Sequence, residues 1–151
     1  MVVKLGQMSS ESKISAFDSS NKLLTNIERI NQLYDKGMEF EAAICQMAII
    51  EALTLFYLKA RIQADKKKVK EDIKKIRKNN KLTFGTVKKI IINNNVLEDN
   101  SIGQDLINYV DYRNDLAHNL IETFNSIDLK NFYKIGQKLI NFYYNYLLKI
   151  I

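Results

Sequence analysis

No proline occurs anywhere in this chain of 151 residues, and glycine occurs only five times. Proline breaks helices and glycine raises their entropic cost, so a chain nearly free of both favours long helices joined by short connections. The length allows one domain around a single core. Apolar residues make up 46% and charged residues 26%, the balance of a globular chain rather than a disordered one. The expectation is an all-α fold, a bundle of four or five helices.

The apolar spacing divides the chain further. Residues 1 to 17 show no clear period and read as a loose or weakly helical N-terminal arm, leaving 18 to 151 as a single helical domain. Asp18, Ser19 and Ser20 offer caps for a first helix with Leu23, Leu24, Ile27, Ile30 and Leu33 at helical spacing, which Gly37 ends. A second helix starts near Met38 and is apolar on almost every face as far as Leu58, the pattern of a helix in the middle of a bundle. Lys66 to Lys78 continues it or forms a short helix of its own. Thr83 is placed to cap a short helix through Ile92, which the Asn93-Asn94-Asn95 run would stop. Asp99, Asn100 and Ser101 then cap a helix from about Ile102 to Phe124, and Asn125 or Ser126 caps the last. The closing FYYNYLLKII carries aromatics on nearly every face, which suits core or a subunit seam better than base stacking.

Cys45 is the sole cysteine, which rules out an intramolecular disulfide and a cysteine-rich metal site. The opening MVVKLGQMSSESKIS lacks the apolar core of a secretion signal. Ala42 to Leu58, the longest apolar stretch, contains Gln46, Glu51 and Thr54, which disfavours a membrane span. A cytoplasmic protein without a membrane partner is expected.

The net charge of +6 is unevenly spread. Lys59 to Lys89 holds 13 basic and three acidic residues, whereas the rest holds 10 basic and 14 acidic. Lys66, Lys67, Lys68, Lys70, Lys74 and Lys75 form its densest part. Such a patch attracts a polyanion such as RNA through counterion release; the alternative is a solvated helix face in a lysine-rich composition.

On the predicted helix from Ile102 to Phe124, with Arg113 set at zero, Leu106 and Phe124 fall near about +20° and Leu120 and Ile102 near about −20°. Tyr109 falls near about −40° and Ala117 near about +40°. Arg113 therefore stands at the centre of the apolar face, and a guanidinium buried there needs a partner or a polar cavity. Glu51 is the only charged residue between Ala42 and Leu58, so the two lone opposite charges most simply face each other. A purely structural ion pair fits those facts as well. Asn114 and His118 are four apart, near about +100° and +140°, so the amide is placed to hold one imidazole nitrogen and set its tautomer. His118 is the only histidine. Asp111, Asp115 and His118 also share one stripe, but a metal site there lacks the second histidine of bundle di-metal centres, and a solvated acidic edge is the simpler account.

The string Arg113-Asn114-Asp115-Leu116-Ala117-His118 resembles the signature of the HEPN family: an arginine, a polar residue, and a histidine after about four to six intervening residues. The resemblance implies a HEPN-like bundle of four or five helices that dimerises, so that two motifs meet in a cleft at the interface. It implies a metal-independent endoribonuclease without cofactor, of the kind found among toxins of toxin–antitoxin pairs and antiviral effectors, with RNA as substrate and an antitoxin or other protein as a further partner. Carried over, Arg113 binds the scissile phosphate and His118 is the general acid or base at the ribose 2′-OH or the leaving 5′-oxygen. Asn114 orients them and Glu51 positions Arg113. The chemistry stands on its own terms, since RNA brings its own nucleophile and histidine titrates near neutrality. One departure is Leu120, where toxins silenced by a nucleotidyltransferase carry a modified tyrosine; Tyr112 is an imperfect substitute. LTFGTVKKI upstream of RNDLAH equally resembles mannitol-operon repressor-type proteins, which implies a non-catalytic regulatory or interaction protein as the alternative.

Overall fold

The helices begin and end at conformational signals written into the chain. The computed structural model describes the backbone at residues 10–62, 71, 74, 83–93, 97, 100–118 and 129–150, and side chains at 21–58, 71, 74, 83–93, 97, 101–116 and 129–149. Five α-helices make up the described part: α1 (Ser10–Asp35), α2 (Glu39–Ile62), α3 (Phe84–Asn93), α4 (Asn100–His118) and α5 (Leu129–Ile150). There is no strand among the described residues, and the protein is an all-helical bundle.

Helix α1 starts eight residues before the expected cap at Asp18, so residues 10 to 17 are helical. No proline or glycine interrupts Ser10–Ser20, and Asp18, Ser19 and Ser20 lie inside the helix. Its end follows the expectation. Gly37 has φ 80°, its N–H donates to Tyr34 O (2.9 Å), and the Met38 N–H donates to Leu33 O (3.0 Å). That paired closure satisfies two carbonyls that the helix would leave open. Two residues later α2 begins with Glu39 and Glu41, acids at the positive end of the helix dipole. Thr83 Oγ1 accepts from the Thr86 N–H (3.2 Å) and caps α3, as its position in the sequence suggests. Helix α4 starts within two residues of the expected Ile102. Its predicted continuation to Phe124, the Asn125/Ser126 cap and most of Lys66 to Lys78 fall outside the described residues.

Helix α2 is the middle of the bundle and packs on α1, α3 and α5, while α4 packs on α3 and α5. By length and composition α2 is apolar enough to cross a membrane. Its surroundings are those of a core helix, with Ala42, Ala43, Ile50, Leu53, Tyr57 and Leu58 buried against its neighbours. Helix α5 is one-sided rather than aromatic all round. Phe132, Ile135, Leu139, Ile140, Tyr143 and Leu147 are buried, and Asn141, Asn145 and Lys149 are exposed.

Among the described residues the side chains of Gln46 and Thr54 are fully enclosed, and both are satisfied. Gln46 Nε2 donates to Tyr133 O (2.9 Å), and the Tyr109 hydroxyl donates to Gln46 Oε1 (3.1 Å), so one carboxamide ties α2 to α4 and α5. The Thr54 hydroxyl donates to Ile50 O (2.7 Å) and shares a 2.9 Å hydrogen bond with the Tyr143 hydroxyl. Around these bonds the rings close the core: Tyr109 stacks on Phe132 (4.4 Å between centroids) and Tyr57 meets Tyr146 edge-on (4.7 Å). Each such pair contributes roughly 0.5–1.5 kcal/mol beyond its buried area.

Candidate functional site

Helix α4 runs unbroken from Asn100 to His118 and therefore carries the whole RNDLAH string. Leu106, Tyr109, Val110 and Leu116 anchor it in the core, with at most 2% of any of them exposed. Arg113 and Asn114 lie between these anchors and are only half-buried. Arg113 Nη1 donates to Asn114 Oδ1 at 3.3 Å. The wheel puts the Arg113 Cα–Cβ bond toward the core, but a side chain this long leaves it sideways. Its bond is to Asn114, which the register places on the same side of the helix as position 118. Residue 118 ends the described part of α4, and its side chain is outside the described residues.

Glu51 is half-buried on α2. The expected ion pair between Arg113 and Glu51 is not made among the described residues, where Arg113 turns instead to Asn114. The physical reason is the neighbour available. A hydrogen bond to the next residue on the same helix needs no approach of a second helix and no full desolvation of the guanidinium, which a buried pair requires. Among the described residues, Lys88 Nζ of α3 and Asp111 Oδ1 of α4 form an ion pair at 3.5 Å. It occupies the acidic edge that Asp111 and Asp115 form, and no group of three or more His, Cys, Asp or Glu fit to hold a metal ion occurs among the described residues. Of the basic segment, Lys74 is exposed on helical backbone, whereas Lys66, Lys67, Lys68, Lys70 and Lys75 lie outside the described residues.

A second constellation has no counterpart in the sequence reading. Tyr34 of α1 stacks on Tyr133 of α5 (3.9 Å, 6° between planes) beside an open groove of about 490 Å³ lined also by Lys130, Asn131, Lys134 and Gln137. Asn31 Oδ1 accepts from the Tyr133 hydroxyl and from Gln137 Nε2 (3.2 Å). Burial and the charge of Asp35 push the Tyr133 hydroxyl above its ordinary range, and the Gln137 hydrogen bond opposes this. Lys130 and Lys134, four apart at the start of α5, were the available signal, but the tyrosine they flank pairs with a ring about a hundred residues earlier.

None of the motif residues whose side chains are described lines this groove. The motif lies on α4, with half-buried Arg113 and Asn114 hydrogen-bonded to each other and a histidine four residues on. Such a set offers a cation and a titratable group to a phosphodiester. No protein-family model, curated protein or solved structure matches this chain.

Proposed function

We propose that the chain is a metal-independent endoribonuclease of HEPN type, cytoplasmic, acting as a homodimer in the manner of a toxin or antiviral effector. The observation that carries this reading is the Arg113–Asn114 hydrogen bond, which joins two of the three motif side chains on one continuous helix that also carries position 118. Arg113 neutralises the scissile phosphate as negative charge builds on it. His118 removes the 2′-OH proton or protonates the leaving 5′-oxygen, and the second copy of the site supplies the other half of that acid–base pair. Asn114, already bonded to Arg113, fixes the arginine and steadies the imidazole one turn away. Glu51 has no part in holding Arg113 in this arrangement.

The test is cleavage of structured and unstructured RNA by the purified chain in EDTA, with product ends identified by mass spectrometry. The expected products carry 2′,3′-cyclic phosphates. His118→Ala and Arg113→Ala should each lower the rate by about 100-fold or more, and Glu51→Gln should leave it within a few-fold. A folded, dimeric protein without activity favours the second reading, a non-catalytic regulatory protein. The observation on that side is the groove at Tyr34 and Tyr133, which is built apart from the motif.

A further inference from the structure

The groove between α1 and α5 joins a platform of rings to a pair of cations. Lys130, Tyr133, Lys134 and Gln137 fall within an arc of about 100° on the first two turns of α5, and Tyr34 of α1 helps to line the same groove. Both lysines are exposed, and among the described residues no carboxylate lines the groove. Burial first, and then the charge of Asp35 beside Tyr34, raise the Tyr133 hydroxyl, so one acid lies close enough to be felt there. Two lysines against that single carboxylate leave the groove positive.

The platform is fixed before any ligand arrives. The Tyr133 carbonyl accepts from Gln46, its hydroxyl donates to Asn31, and its ring lies parallel to that of Tyr34 at 3.9 Å. Tyr34 is the more exposed of the two. A third ring added to such a stack orders little that is not ordered already. An open groove also suits a chain lying along it better than an enclosed small molecule. Cations that track phosphates beside rings that stack on bases are the means by which single strands are held without regard to sequence. An acidic peptide would use the lysines and leave the rings idle. We infer that this groove is an RNA contact apart from the motif, holding a single strand with one base stacked on the Tyr34–Tyr133 pair and its phosphates at Lys130 and Lys134.

The motif helix lies against the other side of the same two turns. Phe132 stacks on Tyr109 and meets Tyr112 edge-on at 6.2 Å between centroids. A strand in the groove is therefore about one helix diameter, roughly 10–12 Å, from α4. The groove serves binding and takes no part in bond cleavage, so it stands whether or not the motif cuts RNA. RNA held here and left intact upholds the groove and counts against the ribonuclease reading alone. Cleavage by a protein whose affinity ignores the groove does the reverse.

The experiment uses the full chain carrying His118→Ala and a short fluorescein-labelled oligouridylate, followed by anisotropy across a salt series. Lys130→Gln with Lys134→Gln should lower the slope of log affinity on log salt by up to about 1.4, or 0.7 for each phosphate neutralised. Tyr34→Leu should weaken binding roughly 5- to 100-fold at fixed salt with the slope unchanged, and Tyr34→Phe should keep the affinity because the ring remains. Asp35→Asn should tighten binding, since it removes the one opposing charge. The two lysines are exposed, so their substitution reads the groove even if Tyr34→Leu does not fold. For location, the same RNA carrying 5-iodouridine is irradiated, and the adduct should lie on Tyr34 or Tyr133 by peptide mass spectrometry. Adducts confined to residues 59 to 89, an affinity indifferent to the lysine pair, or a folded Tyr34→Leu that binds like wild type would each overturn the proposal. Displacement of the RNA by polyglutamate as readily as by unlabelled RNA would overturn it as well.

Discussion

The carboxamide of Gln46 has no accessible surface, and all three of its neighbours depend on it. It satisfies the Tyr133 carbonyl, receives the Tyr109 hydroxyl, and lies over Gly136, where an added Cβ would stand 2.0 Å from Oε1. A side-chain carbon there would push the Gln46 carboxamide out of its enclosed hydrogen bonds, so the close approach favours glycine at 136. Gly136→Ala should cost about 3 kcal/mol or more, an overpacking term of roughly 1–3 plus a similar loss of the enclosed hydrogen bonds. The cost should fall when Gln46→Ala is combined with it, because the clashing atoms are then gone, and a double-mutant cycle by urea denaturation measures that coupling. Tyr109 makes a separate prediction about pH. Burial pushes its hydroxyl far above the ordinary value near 10, so the folded protein keeps it neutral where the unfolded chain ionises. Its contribution to stability is complete below about pH 10 and declines as pH rises beyond that, since the unfolded state then binds fewer protons. Tyr109→Phe should be less stable at neutral pH, with Gln46 Oε1 left unmet, yet lose less than wild type between about pH 10 and 11. An identical loss in both would remove Tyr109 from the account. Gln46 was visible in the sequence as a polar residue in an apolar run, but its partners were not. They lie 63 and 87 residues away in the chain, and no local pattern connects them.

At the scale of helices, local signals sufficed wherever the physics is local. Gly37, Thr83 and the start of α4 could be read because a left-handed residue or a capping hydroxyl acts on its own turn. The start of α1 could not, because Asp18, Ser19 and Ser20 look like a cap while the stretch before them is equally able to be helical. Arg113 shows the same limit from the other direction: a helical wheel gives the direction of Cβ and not where a long side chain ends. The caps carry a ranked prediction. Nothing lies within 4 Å of a Cβ built at Gly37, so Gly37→Ala is penalised by backbone strain alone, about 1–2 kcal/mol. Gly37→Asn should lose less, since asparagine tolerates that conformation. Thr83→Ala should cost about 1 kcal/mol and Thr83→Ser a fraction of it. Shifts in urea midpoint at constant slope would verify the order, and equal losses for Ala and Asn at 37 would refute the strain argument.

Across the whole molecule, charge and apolar surface are sorted into different places. The positive excess of the chain belongs to residues 59 to 89, while the remainder is mildly acidic. An exposed apolar stripe of Ile44, Cys45, Ala48, Ala52 and Phe56 occupies α2 immediately before that segment, and the motif lies on α4. If RNA is the substrate, the lysines draw it in by counterion release and the motif acts on it, two contributions that separate experimentally. Affinity for a labelled single-stranded RNA, followed by fluorescence anisotropy in a cleavage-inactive His118→Ala background, should fall linearly with log salt concentration. Each lysine that neutralises a phosphate contributes a slope of about 0.7. Changing Lys66, Lys67 and Lys68 together to glutamine should therefore lower the slope by up to about 2 and weaken binding most at low salt. Arg113→Ala, by contrast, should change cleavage far more than affinity, because its role lies in the charge that develops on the phosphate. A slope unchanged by the triple substitution would make the lysines a solvated helix face, and the source of any RNA affinity would then move to Lys130 and Lys134, beside the stacked tyrosines of the groove.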